Sequence, residues 1–127
     1  MKTVTLVMRI LLGIGMVFFG LNKFFHWFDP TAGVPQPEAM QAWSGGMMAT
    51  GYLLQLVAIV EIATGICFLL NKFVPLALII LLPVMLNAFL VHAFMDPANI
   101  AGAAVFLFLN IFLMFRHKDS YSQLLKA

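Results

Sequence analysis

Long apolar runs constrain this sequence more than any other feature. Three of them, Val4 to Phe25, Gly51 to Leu70 and Val74 to Met95, reach the length of about 20 residues that a helix needs to cross a bilayer. A fourth, Ala98 to Arg116, reaches it if a helix begins just after Pro97, a residue well suited to a helix start. The pattern therefore predicts four membrane crossings.

The composition agrees with a membrane protein. Hydrophobic residues make up 63% of the 127 positions and charged residues 9%, whereas a soluble domain has about 25% charged residues. A net charge of +2 from dispersed basic residues does not indicate a nucleic-acid partner. We predict an all-α, integral membrane four-helix bundle that forms one domain over residues 1–127, with helices at about 4–26, 51–70, 74–95 and 98–116.

The charges predict which side of the membrane each loop faces, because Lys and Arg near helix ends accumulate in the cytoplasm. If both chain ends are cytoplasmic, only Lys23 of the seven basic residues lies near the outer side. The one long connection, Asp29 to Thr50, is then external, and its segment Glu38 to Met48 is predicted to form a short interfacial helix. The expected topology is N-in and C-in.

Signatures of several enzyme classes are absent from the sequence. The single cysteine, Cys67, has no partner for a disulfide or a C-x-x-C motif. There is also no H-E-x-x-H motif, nucleophile elbow or nucleotide-binding glycine loop. Any chemistry must therefore come from isolated polar residues in apolar sequence.

Glu61 is the most informative of these residues, because it lies near the middle of the second apolar run. A carboxylate at that depth costs at least about 2.5 kcal/mol and needs a partner, a proton or a polar cavity. Arg9 is the predicted partner in a structural ion pair that locks the first two helices together. Proton handling or ligand binding at Glu61 is the alternative.

A second polar group is predicted at the outer ends of the first and third crossings. Asn22 and His26 are four positions apart, and so share a helix face. Asn87 and His92 are five apart, and share a face only if Pro83 distorts the helix. The four side chains could hydrogen-bond the two carbonyls of a quinone head, or they could be interfacial residues satisfied by water and headgroups.

Other cofactors remain alternatives for the same residues. His26 and His92 could ligate a b-type haem or, with Asp29 or Asp96, a metal ion. We predict no metal site and treat a quinone as the favoured cofactor. Haem is the less favoured one.

Short motifs spread over nearly the whole chain carry a family resemblance. They run in the order Arg9-x-x-x-Gly13, Phe18-Phe19-Gly20-Leu21-Asn22-Lys23-Phe24, Gly51-Tyr52-Leu53, Glu61-x-x-x-Gly65, Phe73-Val74-Pro75-Leu76, Asn87-x-x-x-x-His92 and Asp96-Pro97. In this order and spacing the sequence resembles the DoxX family of small integral membrane proteins. That family is named after a subunit linked with quinone-dependent sulfur oxidation. The resemblance implies a component of a membrane oxidoreductase system and assigns importance to the same polar residues.

Two main hypotheses follow. The first is a quinone-associated redox component of the bacterial inner (plasma) membrane, with a head-group site in the outer half of the bundle and Glu61 as proton handler. The second is a non-catalytic assembly or partner subunit for another membrane or periplasmic protein. A third, a solute or proton carrier, depends on Glu61 alone and would require a homo-oligomer.

Overall fold

The computed structural model describes residues 2–29 and 32–126, and these ranges contain helices and turns but no strand. The elements in chain order are α1 (Lys2–Phe25), α2 (Glu38–Ala49), α3 (Leu53–Leu70), α4 (Val74–Met95), a 3₁₀ turn (Pro97–Asn99), α5 (Ile100–Arg116) and α6 (Lys118–Tyr121). In the described chain, α1, α3, α4 and the segment Pro97–Arg116 are long and apolar enough to cross a membrane. The predicted all-α fold with four such helices is confirmed. The orientation and the interfacial position of α2 remain predictions.

The four long helices form a closed bundle in which α1 packs on α3 and α5, and α4 packs on α3 and α5. We call the end where α1 finishes and α3 begins the outer end, after the predicted orientation. The opposite end, where α3 finishes and α4 begins, is the inner end. The short connections at each end make the neighbouring helices α3, α4 and α5 antiparallel.

Glycines bring α1 and α3 into close contact. A Cβ atom at Gly65 would lie 2.8 Å from Val17 Cγ2 and 3.0 Å from the Gly13 carbonyl oxygen. Nearer the outer end, a Cβ atom at Gly20 would lie 3.0 Å from the Ala58 carbonyl oxygen. Small residues allow this approach of two backbones in a bilayer. The pairing of Gly13 with Gly65 and of Gly20 with Ala58 fixes the antiparallel register of the two helices.

The packed core occupies the middle and the inner half of the bundle. Its completely buried side chains come from all four long helices and include Leu12, Phe68, Leu78 and Leu113. Asn110 is also completely buried there, and its side-chain amide donates to the Leu78 carbonyl oxygen at 3.2 Å. Because this packing is confined to the inner part, the outer half of the bundle has room for a cavity.

Candidate functional site

A cavity of about 420 Å³ lies in the outer half of the bundle. We call it the outer cavity. Its walls are mainly apolar and include Met16, Phe19, Met85 and Phe106. Polar side chains line it at a few points, namely Lys23, Gln36, Glu61, His92, Asp96 and Asn99. An apolar concave site with a few convergent polar groups is the usual form of a small-molecule pocket.

An ion pair joins α1 and α3 beside this cavity. Lys23 Nζ lies 2.7 Å from Glu61 Oε1, and the Glu61 side chain is buried while that of Lys23 is partly exposed. Such a partner offsets part of the cost of burying a carboxylate. The pair therefore places one cationic donor and one carboxylate in the cavity wall.

The predicted ion pair between Arg9 and Glu61 is wrong, and the register of α1 and α3 explains why. Gly20 faces Ile62, the neighbour of Glu61, whereas Arg9 lies eleven residues earlier on α1, about 16 Å away along the helix. Arg9 is instead level with the inner end of α3, where its guanidinium donates to the Phe68 carbonyl oxygen. Arg9 therefore secures the inner end of the α1–α3 contact and takes no part in the outer cavity.

His92 lines the cavity and also has a buried ring nitrogen without a hydrogen-bond partner among the described residues. Its Nδ1 atom is buried and has no hydrogen-bond partner within the described ranges 2–29 and 32–126. A buried polar atom without a partner costs about 1–3 kcal/mol. In a neutral imidazole, Nδ1 either donates to a carbonyl or accepts from a hydroxyl, according to the tautomer. The imidazole as a whole can therefore offer a cavity ligand either a donor or an acceptor, according to its tautomer.

Asp96 and Asn99 lie at the junction of α4 and α5. Asp96 is buried, and its Oδ2 accepts a hydrogen bond of 2.9 Å from Asn99 Nδ2. The Asp96 backbone N–H donates to the His92 carbonyl oxygen, which is the last helical hydrogen bond of α4. These contacts hold a carboxylate at the cavity wall, one helical turn beyond His92.

The structure does not bring the four predicted quinone ligands together. Both polar atoms of the Asn22 amide bind the backbone of Phe28, at 2.7 and 2.8 Å, and so hold the turn after α1. His26 is exposed in a left-handed conformation, with φ of 52°. Asn87 is exposed on α4 and lies outside the cavity lining to which His92 belongs. Of the four, His92 alone lines the outer cavity.

The two histidines also do not share a site, since His26 lies outside the lining to which His92 belongs. Among the described residues, no three His, Cys, Asp or Glu side chains form a group that could hold a metal ion. The geometry therefore gives no support to the alternative of joint haem or metal ligation by His26 and His92.

Lys23 was not among the predicted site residues, although it stands in one of the motifs that carry the family resemblance. Its signal was its position, because it is the one basic residue that the predicted topology places near the outer side. A cation that departs from the charge rule inside an apolar run needs a nearby carboxylate or a polar cavity, just as Glu61 does. Matching these two exceptions to each other would have identified the pair.

Comparison with known proteins adds one match. The sequence model of the family described as DoxX matches residues 4–93, which is more than half of the chain. The matched part contains Lys23, Glu61 and His92 and ends before Asp96 and α5. No curated protein and no solved structure matches the chain.

Proposed function

The chain belongs to the DoxX family, and from that premise we propose that this multi-pass membrane protein is a quinone-associated component of a membrane redox system, with the quinone head bound in the outer cavity. The observation that carries the proposal is a largely apolar cavity of about 420 Å³ whose lining combines the imidazole of His92 with a Lys–Glu pair. A neutral ring with two carbonyl groups has the chemistry to fill such a site.

Two donors could hold the ring. The ring nitrogen of His92 that faces the ligand donates to one carbonyl oxygen in one tautomer and accepts from a quinol hydroxyl in the other. The Lys23 ammonium has three N–H groups, of which the bond to Glu61 uses one, so it retains donors for the second carbonyl. The site therefore has hydrogen-bonding groups for both the oxidised and the reduced ligand.

The apolar wall suits the rest of the molecule. Phe19 and Phe106 make an edge-to-face contact, with ring centroids 5.8 Å apart, and both line the cavity. Aromatic rings prefer offset or edge-to-face neighbours, which a flat quinone ring can provide. The methionines Met16 and Met85 have adaptable side chains that can accommodate an isoprenoid tail.

Glu61 is the proposed proton-handling group. Reduction of a quinone to a quinol consumes two electrons and two protons, and the electrons would come from a separate donor protein of the same redox system. The Glu61 side chain is hydrogen-bonded to Lys23 at the cavity wall. Once it has taken up a proton, it can pass that proton toward the ring. With the outer end on the periplasmic side of a bacterial inner membrane, these protons would be exchanged with the periplasm.

Equilibrium binding of a short-tailed quinone analogue to the detergent-purified protein tests the proposal. His92→Phe removes one hydrogen bond to the ring, which is worth about 1–3 kcal/mol, and should weaken binding by about 5- to 150-fold. Asn87→Leu is the matched control, because Asn87 is on the same helix but outside the cavity lining. The proposal fails if the parent shows no saturable binding or if His92→Phe binds like the parent.

The second candidate function is that of a non-catalytic partner subunit, and α2 is the observation that favours it. This twelve-residue helix packs on α3 and α4 through one side, where Met40, Trp43 and Met47 are partly buried, and its other side is exposed and free to contact another protein at the outer end. Purification of the parent and of a Met48→Glu variant, altered at an exposed position of α2, would test this function. Loss of one stoichiometric co-purifying protein from the variant would support it, and identical preparations would refute it.

A further inference from the structure

A second cavity, which we call the inner groove, lies on the inner half of the bundle, away from the outer cavity. It has a volume of about 460 Å³ and runs between α4 and α5. Leu82 and Leu107 line it near the middle of these helices, and Ile111 lines it closer to the inner end. The only charged residue in its lining is Lys118.

The chain after α5 forms the inner end of this groove. Tyr121 is buried, and its hydroxyl donates to the Pro75 carbonyl oxygen at the start of α4, at 2.7 Å. Burial raises the pKa of the Tyr121 phenol, which keeps it in the neutral, donating form. This bond ties the C-terminal segment to α4 and holds Lys118, Tyr121 and Leu125 along the groove. The groove is therefore a structured site formed by three parts of the chain.

The length of the groove matches one leaflet of a bilayer. Leu107 and Lys118 are eleven residues apart, which is about 16 Å along a helix. Half of a hydrocarbon core of about 30 Å is nearly the same distance. An acyl chain of one leaflet would fill such a groove, whereas a transmembrane helix of a second copy would have to continue past it.

The charge at the inner end identifies the kind of lipid. Lys118 forms no ion pair with any residue in the described part of the chain. A cation at the mouth of an apolar groove is complementary to a phospholipid with a negative headgroup, and basic sites between helices on the cytoplasmic side bind such lipids. We propose that the inner groove binds one acyl chain of an anionic phospholipid, whose phosphate contacts Lys118.

Native mass spectrometry of the detergent-purified full chain tests this site. The protein is titrated with phosphatidylglycerol and with phosphatidylcholine that carry the same acyl chains. Because one lysine near a membrane surface adds a modest electrostatic attraction, the parent should prefer phosphatidylglycerol by about fivefold. Lys118→Gln should remove that preference, and Lys126→Gln, an exposed residue outside the lining, should retain it.

A second pair of variants tests the groove itself. Ile111→Trp places a bulky ring in the groove and should reduce binding of both lipids, whereas Ile14→Trp, at an exposed position of α1 outside the lining, should not. Equal binding of the two lipids by the parent would overturn the proposal. So would parent-like binding by Lys118→Gln or Ile111→Trp, or a dimer of the parent that Ile111→Trp dissociates, which would make the groove an interface between copies.

Discussion

The pair between Lys23 and Glu61 gives the sharpest prediction about stability. At their separation of 2.7 Å and an effective dielectric constant of about 20, the Coulomb attraction is about 6 kcal/mol, part of which is offset by desolvation. Removing one member of a buried pair costs about 3–5 kcal/mol when the other member is left buried.

The two single substitutions should not cost the same. The Glu61 side chain is 4% exposed and that of Lys23 is 26% exposed. Lys23→Met leaves a buried carboxylate without a partner, and should lower the free energy of unfolding by about 3 kcal/mol. Glu61→Gln should cost about 1–2 kcal/mol, because a lysine near a helix end can extend its ammonium toward the interface.

Unfolding in mixed micelles, followed by circular dichroism as the denaturing detergent is increased, measures these costs. The double variant should be more stable than the sum of the two single effects predicts, with a coupling energy of about 1–3 kcal/mol. The same cycle between Arg9→Met and Glu61→Gln should be additive, since Arg9 contacts Phe68 and not Glu61. Additivity in the Lys23–Glu61 cycle, or strong coupling in the Arg9 cycle, would refute the pairing.

Three further predictions concern packing, the C-terminal segment and topology. Gly65→Val should lower the free energy of unfolding by about 1–3 kcal/mol, because the added side chain would collide with α1. Gly46→Val should cost far less, because Gly46 has open space around it. Equal losses of stability in the two variants would contradict the close packing of α1 and α3. Tyr121→Phe should cost about 1 kcal/mol in the same assay by removing the bond to α4, and an unchanged stability would argue against that contact. In a cysteine-free background, a cysteine that replaces Glu38 should react with an impermeant thiol reagent in intact cells, and one that replaces Lys72 should not. The reverse labelling pattern would show that the topology is opposite to the predicted one.

The crossings could be predicted from the sequence because they depend on length and hydropathy alone. Val74 to Met95 was predicted to the residue. The segment at Glu38 ends one residue later than expected, at Ala49. The helix after Pro97 begins with a 3₁₀ turn. These features are local, so they need no knowledge of which helices pack together.

The site was harder to predict, because a single sequence does not specify helix rotation or register. Glu61 was expected to need a polar partner, and it has one, but the choice between Arg9 and Lys23 depends on how far α1 slides along α3. The Asn22 amide has the donor and acceptor that a ligand site needs, but both already bond to the backbone of the turn that follows α1. Asn87 was expected to share a face with His92, but its side chain is exposed and lies outside the cavity lining. The depth of a residue in the membrane could be estimated from its position along a helix, whereas the direction in which its side chain points could not.

Photoaffinity labelling tests the central claim most directly. A short-tailed quinone that carries a photoreactive group is bound to the purified protein, irradiated with and without excess unlabelled quinone, and located by mass spectrometry of peptides. We expect saturable, competable labelling of the outer-cavity segments, namely α1 between Met16 and Lys23 and the segment from Met85 in α4 to Asp96 just after it. Labelling that is not reduced by competitor, or that falls on the inner groove around Ile111, would contradict a quinone site in the outer cavity.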